Sequence, residues 1–284
     1  MALINWQPLL ELLGYPFMQR ALLGGMLIGA LAGGVGSLAV VRQFSFFSHT
    51  VSHAALLGIV LSAALGWDPT LTLLPFTVLF GLGVLLLVRM TGLWRDTVLN
   101  VTFSGSLALA VIGLSQLPGY RGGLSGVLFG DILAIQERDI GLSWLVLMGV
   151  GVLLLLCLRP QSLMVLHPEM ARARGIPIGV YEVGFVVVLS VLVALATRVV
   201  GVLLVNAFLV IPAAIARLLS CRFGQFMALA SLVGAGSAVV GVLVAGLTNW
   251  PAGPSVVVVQ MGVFLLVAVW RHFLEKRMLP NQSR

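Results

Sequence analysis

The sequence predicts an all-α bundle of transmembrane helices that forms a single domain over residues 1–284. The first observation is compositional, since 60% of the residues are apolar, 9% are charged and the mean hydropathy is +1.13. An ordinary soluble domain is about 45–50% apolar and about 25% charged. The second is that the apolar runs are too long for barrel strands, which leaves helices to satisfy the backbone in lipid. Soluble, disordered and disulfide-scaffold classes are therefore excluded.

Nine apolar stretches reach the length of about 20 residues that a helix needs to cross a bilayer. The predicted spans are 18–41, 45–65, 70–88, 97–117, 141–158, 179–197, 199–216, 226–247 and 255–271. The two stretches beside Arg198 form either two spans or one broken element, so we expect eight or nine spans. Residues 1–16 predict a short interfacial helix. The Gly-rich stretch 122–135 is too short to cross.

Three glycines in the first span, Gly25, Gly29 and Gly33, recur at a spacing of four residues. Residues at this spacing lie on one helix face. Small residues on a shared face let two membrane helices approach closely. We therefore predict that the first span packs against another helix along this face.

The basic residues divide unequally between the two sides of the predicted bundle. One alternating set of connections contains Arg42, Arg89, Arg95, Arg159, Arg172, Arg174, Arg217, Arg222, Arg271, Lys276, Arg277 and Arg284, whereas the other contains Arg20, Arg121, Arg138 and Arg198. The positive-inside rule places the richer set in the cytoplasm, with the amino terminus outside and the carboxyl terminus inside. Because these charges are scattered between apolar runs, the net charge of +7 does not indicate a nucleic-acid partner.

No catalytic signature is found in the sequence. A phosphate-binding P-loop requires Gly-Lys before Ser or Thr. The single lysine, Lys276, follows Glu275, so the chain does not hydrolyse ATP through such a loop. The acidic residues fall mostly at span ends or in loops, which argues against intramembrane acid–base catalysis. We therefore predict a chain that is not an enzyme.

Two histidines in the second span, His49 and His53, are the main candidates for a metal site. Their spacing of four places both imidazoles on one face of a helix. Ionisable groups at membrane depth usually face a water-filled path or the bundle interior. Two imidazoles can donate two nitrogen ligands to zinc or another borderline cation. The spacing alone leaves open that both are hydrogen-bonded core residues. His167 and His272, on predicted cytoplasmic segments, are weaker candidates.

Two further segments are candidates for function. In the connection 166–177, Pro168 and Gly175 bracket a short predicted helix. Its charged residues Glu169, Arg172 and Arg174 either meet a soluble partner or form a solvated turn. In the seventh predicted span, Asn206 precedes Pro212, and proline frees a backbone carbonyl within a helix. This position is therefore interpreted as a helix break, either a simple kink or a gating hinge.

Five segments together resemble a known family, the permease subunits of bacterial ABC transporters that take up zinc, manganese or iron(II). They are 42–58, the FGDILA segment within 128–134, 168–175, the GVLLV…IPAAIAR stretch within 200–217, and 252–255. Their order along the chain makes the resemblance specific, and it covers nearly the whole sequence.

The resemblance implies a permease homodimer, surrounded by lipid, in the bacterial plasma (inner) membrane. Two separate cytoplasmic ABC ATPase subunits would bind below it, and an extracytoplasmic metal-binding protein would deliver the metal from above. Residues 168–175 would dock the ATPase, with Pro168, Glu169, Arg172, Arg174 and Gly175 as the coupling residues. No permanently bound cofactor is expected, because the metal is the substrate.

The chain departs from the family at one position of the metal site. The family usually has Asp where this chain has His49, paired with the residue that matches His53. Replacing a carboxylate with an imidazole favours zinc over manganese, which is a harder cation. Zinc is therefore the first predicted substrate. Manganese, iron(II), a metal chelate and an ATP-independent metal channel are the alternatives.

Overall fold

The computed structural model describes residues 11, 14–116, 141, 144–146, 148–152, 160–161, 163–164 and 168–278, and no strand occurs in these segments. The principal helices are α1 (Pro16–Val41), α2 (Ser45–Leu65), α3 (Pro69–Thr91), α4 (Arg95–Gln116), α5 (Pro168–Ala173), α6 (Ile178–Val200), α7 (Val205–Leu219), α8 (Phe223–Thr248) and α9 (Ala252–Met278). The predicted all-α class is confirmed.

Seven of the described helices are long and apolar enough to cross a membrane, which confirms a polytopic bundle. They are α1, α2, α3, α4, α6, α8 and α9. The eighth apolar helix, α7, has 15 residues. The predicted span 199–216 has the wrong bounds, because α6 continues to Val200 and a turn at 201–204 precedes α7. Several predicted segments lie wholly or partly outside the described residues. These are all of 122–135, which includes 128–134, most of the interfacial helix 1–16, and half of the span 141–158.

Local sequence signals explain where several helices begin and end. Pro16 stands at the start of α1, where its missing N–H costs no intrahelical hydrogen bond. Gly66 ends α2 in the left-handed conformation with φ 66°, which glycine adopts without a Cβ penalty. Asn249 ends α8 in the same region with φ 56°. These residues mark helix ends, which the hydrophobic pattern alone locates only approximately.

The close packing of α1 against α8 follows the predicted glycine face. A Cβ added at Gly29 would overlap the carbonyl oxygen of Gly234, and one added at Gly33 would overlap that of Ala230. At Gly25 an added Cβ would lie 3.6 Å from Val242 Cγ2, an ordinary contact. The two backbones therefore touch at Gly29 and Gly33, and the predicted packing face is confirmed.

The core of the bundle forms around α1, with α2, α6, α7 and α8 packed near it. Large side chains from these helices are fully buried, namely Met18, Ile28, Leu38, Phe47, Leu189, Leu192, Phe208, Leu209 and Phe226. By contrast, α4 and α9 expose many apolar side chains, as expected for helices that face lipid or another subunit. The candidate histidines lie on α2, between this core and α4.

Candidate metal site

The two candidate histidines lie one turn apart on α2. The ring centroids of His49 and His53 are 4.5 Å apart and their planes make an angle of 70°. Both lie in the first half of a helix that is long and apolar enough to cross a membrane. The spacing in the sequence therefore brings the two imidazoles into direct contact, as helical periodicity requires.

A phenylalanine from the neighbouring helix α4 packs on both imidazoles. The ring centroid of Phe103 lies 5.1 Å from that of His49, nearly parallel to it, and 5.0 Å from that of His53, edge to face. Phe46 adds a further ring contact 5.4 Å from His49. The imidazoles therefore lie at the α2–α4 contact and face aromatic rings.

One imidazole nitrogen lacks a partner within the described part of the protein. His53 is 7% exposed, and its Nδ1 atom is buried without a hydrogen bond from these residues. Buried polar atoms are nearly always hydrogen-bonded to protein or water, so an exception points to a missing partner. A water molecule or a cation would satisfy this nitrogen. His53 Nδ1 is thus a candidate metal ligand, on a helix long and apolar enough to cross a membrane.

The imidazole pair alone does not complete a metal coordination shell. Over the described ranges, no group of three or more His, Cys, Asp or Glu side chains is arranged to hold a metal ion. Zinc takes four ligands in most protein sites. Two imidazole nitrogens would therefore need water, or groups from elsewhere, as further ligands.

A second polar contact lies on a neighbouring face of α2. Ser48 Oγ donates a hydrogen bond of 2.9 Å to Asn206 Oδ1, at the start of α7. Asn206 follows the turn at 201–204, and Gly201 in this turn has φ 87°. The turn therefore interrupts the helical conformation shortly before Asn206, whereas α7 continues as a helix through Pro212. The predicted break lies earlier than Pro212, and the gating role of Asn206 and Pro212 stays a prediction.

The predicted coupling segment forms a short exposed helix. Helix α5 covers Pro168–Ala173, and Gly175 follows it with φ 70°. Glu169 and Arg172 are 3.8 Å apart with side chains 88% and 69% exposed, so their ion pair contributes little stability. Ala171 is buried and fixes one face of the helix. The side chains of Glu169 and Arg172 on this helix are mostly exposed.

Several charged residues gather at the end of the bundle that carries α5. Glu182 on α6 accepts hydrogen bonds from Arg89 Nη2 at 2.9 Å and Arg95 Nη2 at 2.8 Å. The guanidinium of Arg42 bonds the amide oxygen of Gln161. Burial lowers the pKa of Arg42 from its ordinary value, and the Glu182 carboxylate opposes that shift. These arginines belong to one predicted side, which agrees with the charge sorting, although the orientation itself stays a prediction.

The sequence of the chain matches a known protein family over most of its length. A family model, the ABC 3 transport family, matches residues 14–271. The chain belongs to this family. Together with the relatives described next, this membership confirms the resemblance to permease subunits of metal-uptake ABC transporters and a role in transport.

Relatives of the chain within this family carry names for different metals. The chain is 33% identical over 257 residues to the manganese import system permease protein ScaB of Streptococcus parasanguinis, covering 89% of this chain and 90% of that protein. It is 30% identical over 251 residues to the high-affinity zinc uptake system membrane protein ZnuB of Haemophilus influenzae, covering 87% and 94%. The family therefore indicates metal transport without selecting one metal.

A solved structure also has the same fold. It is PsaBC from Streptococcus pneumoniae in complex with Fab, with a TM-score of 0.82 and 28% sequence identity to this chain. The match covers 92% of this chain and 94% of the compared chain. The helical arrangement described above is thus shared with this solved structure.

The structure places the remaining candidates apart from the imidazole pair. His272 lies exposed on α9, 6.3 Å from the ring of Phe273. His167 lies outside the described residues. Sequence reasoning missed Phe103, because a phenylalanine in an apolar run carries no distinguishing signal. It also missed the arginine partners of Glu182, which lie 93 and 87 residues away along the chain.

Proposed function

We propose that this chain is the membrane-spanning permease subunit of an ATP-driven importer for a divalent transition metal, with zinc as the first candidate. The observation that carries the proposal is the contact between His49 and His53 inside a membrane span, with the buried Nδ1 of His53 left without a hydrogen-bond partner among the described residues. Imidazole nitrogens are suited to zinc. The two side chains would bind the metal transiently as it passes.

The energy for transport would come from separate subunits. The chain has no P-loop lysine, so ATP hydrolysis belongs to a cytoplasmic ABC ATPase. The exposed charged helix α5 is the surface that we assign to this partner. Closure of the ATPase pair would move α5 and shift the helices between outward-open and inward-open arrangements. An extracytoplasmic metal-binding protein would deliver the ion to a permease homodimer in the plasma membrane.

Manganese is the second candidate substrate. It is supported by the identity of 33% to a protein named for manganese import, slightly above the 30% to one named for zinc uptake. The ligand chemistry favours zinc, because manganese prefers carboxylate and water oxygens to imidazole. We give the ligand chemistry more weight, because it concerns the residues that would touch the ion.

Transport by reconstituted protein tests the proposal. The permease and its ATPase subunit are placed in proteoliposomes, and ATP-dependent uptake of zinc and of manganese is measured for the parent, His53→Ala and His272→Ala. The last variant is a matched control, since it removes an exposed histidine that lies apart from the pair. We expect His53→Ala to lose zinc transport and His272→Ala to retain it.

Three results would contradict the proposal in different ways. If His53→Ala transports zinc at the parental rate, the imidazoles do not bind the transported ion. This result would favour a permease for a metal chelate. Zinc movement by the permease without its ATPase would indicate an energy-independent channel. Faster uptake of manganese than of zinc by the parent protein would replace zinc as the substrate.

A further inference from the structure

The Glu182 carboxylate links three helices, α3, α4 and α6, at the end of the bundle that carries α5. Glu182, near the start of α6, accepts hydrogen bonds from Arg89 at the end of α3 and from Arg95 at the start of α4. The Glu182 side chain is 17% exposed, and those of Arg89 and Arg95 are 45% and 49% exposed. The two arginines thus make nearly equal contacts with the same group.

The helix that carries Glu182 follows the proposed docking helix almost directly. Residues 174–177 separate α5 from α6. This link is held by backbone hydrogen bonds, from Gly175 N to Arg172 O at 3.0 Å and from Ile176 N to Ala171 O at 3.1 Å. Because this link is short and hydrogen-bonded, a displacement of α5 would also move the start of α6.

Arg95 connects Glu182 to both helices that form the imidazole site. It begins α4, and its guanidinium carbon lies 4.9 Å above the ring centroid of Phe44, the residue that precedes α2. Phe103 lies eight residues further along α4, about 12 Å at 1.5 Å per residue, and contacts the rings of His49 and His53. A rigid helix thus runs from the ion pair to the imidazoles.

Arg89 differs from Arg95 in what else it touches. Its Nη2 atom also approaches the carbonyl oxygen of Gly179 at 3.4 Å, so the contacts described for it lead back to α6. The described aromatic contacts of the two imidazole rings come from α2 and α4, and none of them involves an aromatic ring of α3. The two arginines share an ion-pair partner but differ in their connection to the metal site.

We infer that Arg95 is a positioning residue for metal transport, which acts through the Glu182 ion pair and through Phe103. Movement of α5 would reach Glu182 on α6, pass through Arg95 to α4, and shift Phe103 against the two imidazoles. The orientation of the imidazoles, and hence the release of the metal, would then follow the state of the ATPase. This inference rests on the proposed function and names the route that couples its two sites.

The matched variants Arg95→Gln and Arg89→Gln test the inference. Each removes one guanidinium from the same carboxylate, and neither partly exposed ion pair contributes much stability. The permease–ATPase complex is reconstituted in proteoliposomes, and the zinc moved per ATP hydrolysed is measured. We expect this ratio to fall by about fivefold or more in Arg95→Gln, the range of an ordinary coupling energy. We expect Arg89→Gln to stay within about twofold of the parent.

A second variant tests the other end of the route. Phe103→Leu keeps an apolar side chain but removes the ring that contacts both imidazoles. We expect less zinc moved per ATP hydrolysed, with unchanged retention of the ATPase subunit. A purely structural role of Phe103 would instead lower the yield of folded complex and leave the ratio unaltered.

The outcomes separate this inference from the proposed function. Equal ratios in Arg95→Gln and Arg89→Gln, with an active parent complex, would overturn the inference alone. A parental ratio in Phe103→Leu would do the same. An ATP-supplied parent complex that moves none of zinc, manganese and iron(II) would overturn the proposed function, and the inference with it.

Discussion

The contact between α1 and α8 provides a quantitative test of the fold, through the variant Gly29→Ala. The added Cβ would overlap the Gly234 carbonyl oxygen and would lie 2.8 Å from its carbon and 3.1 Å from Ala238 Cβ. Because two of these atoms belong to a helix backbone, the two helices must separate. Overpacking of this kind typically costs about 1–3 kcal/mol.

A matched control comes from Gly236 on the opposing helix α8. A Cβ added there has no described neighbour within 4 Å. Replacing glycine with alanine inside a helix is favourable by about 0.5–1 kcal/mol, and this gain applies to both variants. It therefore cancels in the comparison, and we expect Gly29→Ala to be about 1–3 kcal/mol less stable than Gly236→Ala.

Thermal unfolding of both purified variants, in the same detergent, measures this difference. A change of 1 kcal/mol corresponds to about 2–4 °C for a chain of about this size. The midpoint of Gly29→Ala should therefore lie several degrees below that of Gly236→Ala. Equal midpoints would show that the α1–α8 backbones are not in contact at Gly29, and the described packing would be wrong.

Two further predictions concern the site and its partner. The variant His49→Asp should shift the selectivity of ATP-driven uptake from zinc toward manganese, because a carboxylate suits the harder cation; an unchanged zinc-to-manganese ratio would show that position 49 does not touch the metal. The variant Arg172→Glu should weaken co-purification of the ATPase subunit while zinc binding persists, whereas Arg20→Glu, on the opposite predicted side, should retain the subunit. Full retention of the ATPase by Arg172→Glu would contradict the docking role of α5.

Local patterns explain why much of the bundle could be predicted from the sequence. The length of the apolar runs identified helices such as α1, α2 and α8, and helical periodicity placed His49 beside His53. The spacing of Gly29 and Gly33 likewise predicted a close packing face. Each of these depends on residues close together in the chain.

Features that depend on distant residues or on uniform hydrophobicity were not predictable. The stretch from Val199 to Val210 is apolar except at Asn206, so hydrophobicity alone did not place the turn at 201–204 that separates α6 from α7. The partners of Glu182 come from other helices, and no local pattern selects them. Tertiary packing also determines that Phe103 faces the imidazoles. The sequence therefore identified the ligand candidates but not their surroundings.

X-ray absorption spectroscopy of zinc bound to the purified permease complex tests the proposed metal site most directly. We expect nitrogen ligands with the scattering pattern of two imidazoles per bound zinc. This signal should be lost in a His49→Ala/His53→Ala double variant and kept in His272→Ala. Zinc that binds the double variant with the parental affinity and an unchanged ligand shell would contradict the claim that this imidazole pair contacts the transported ion.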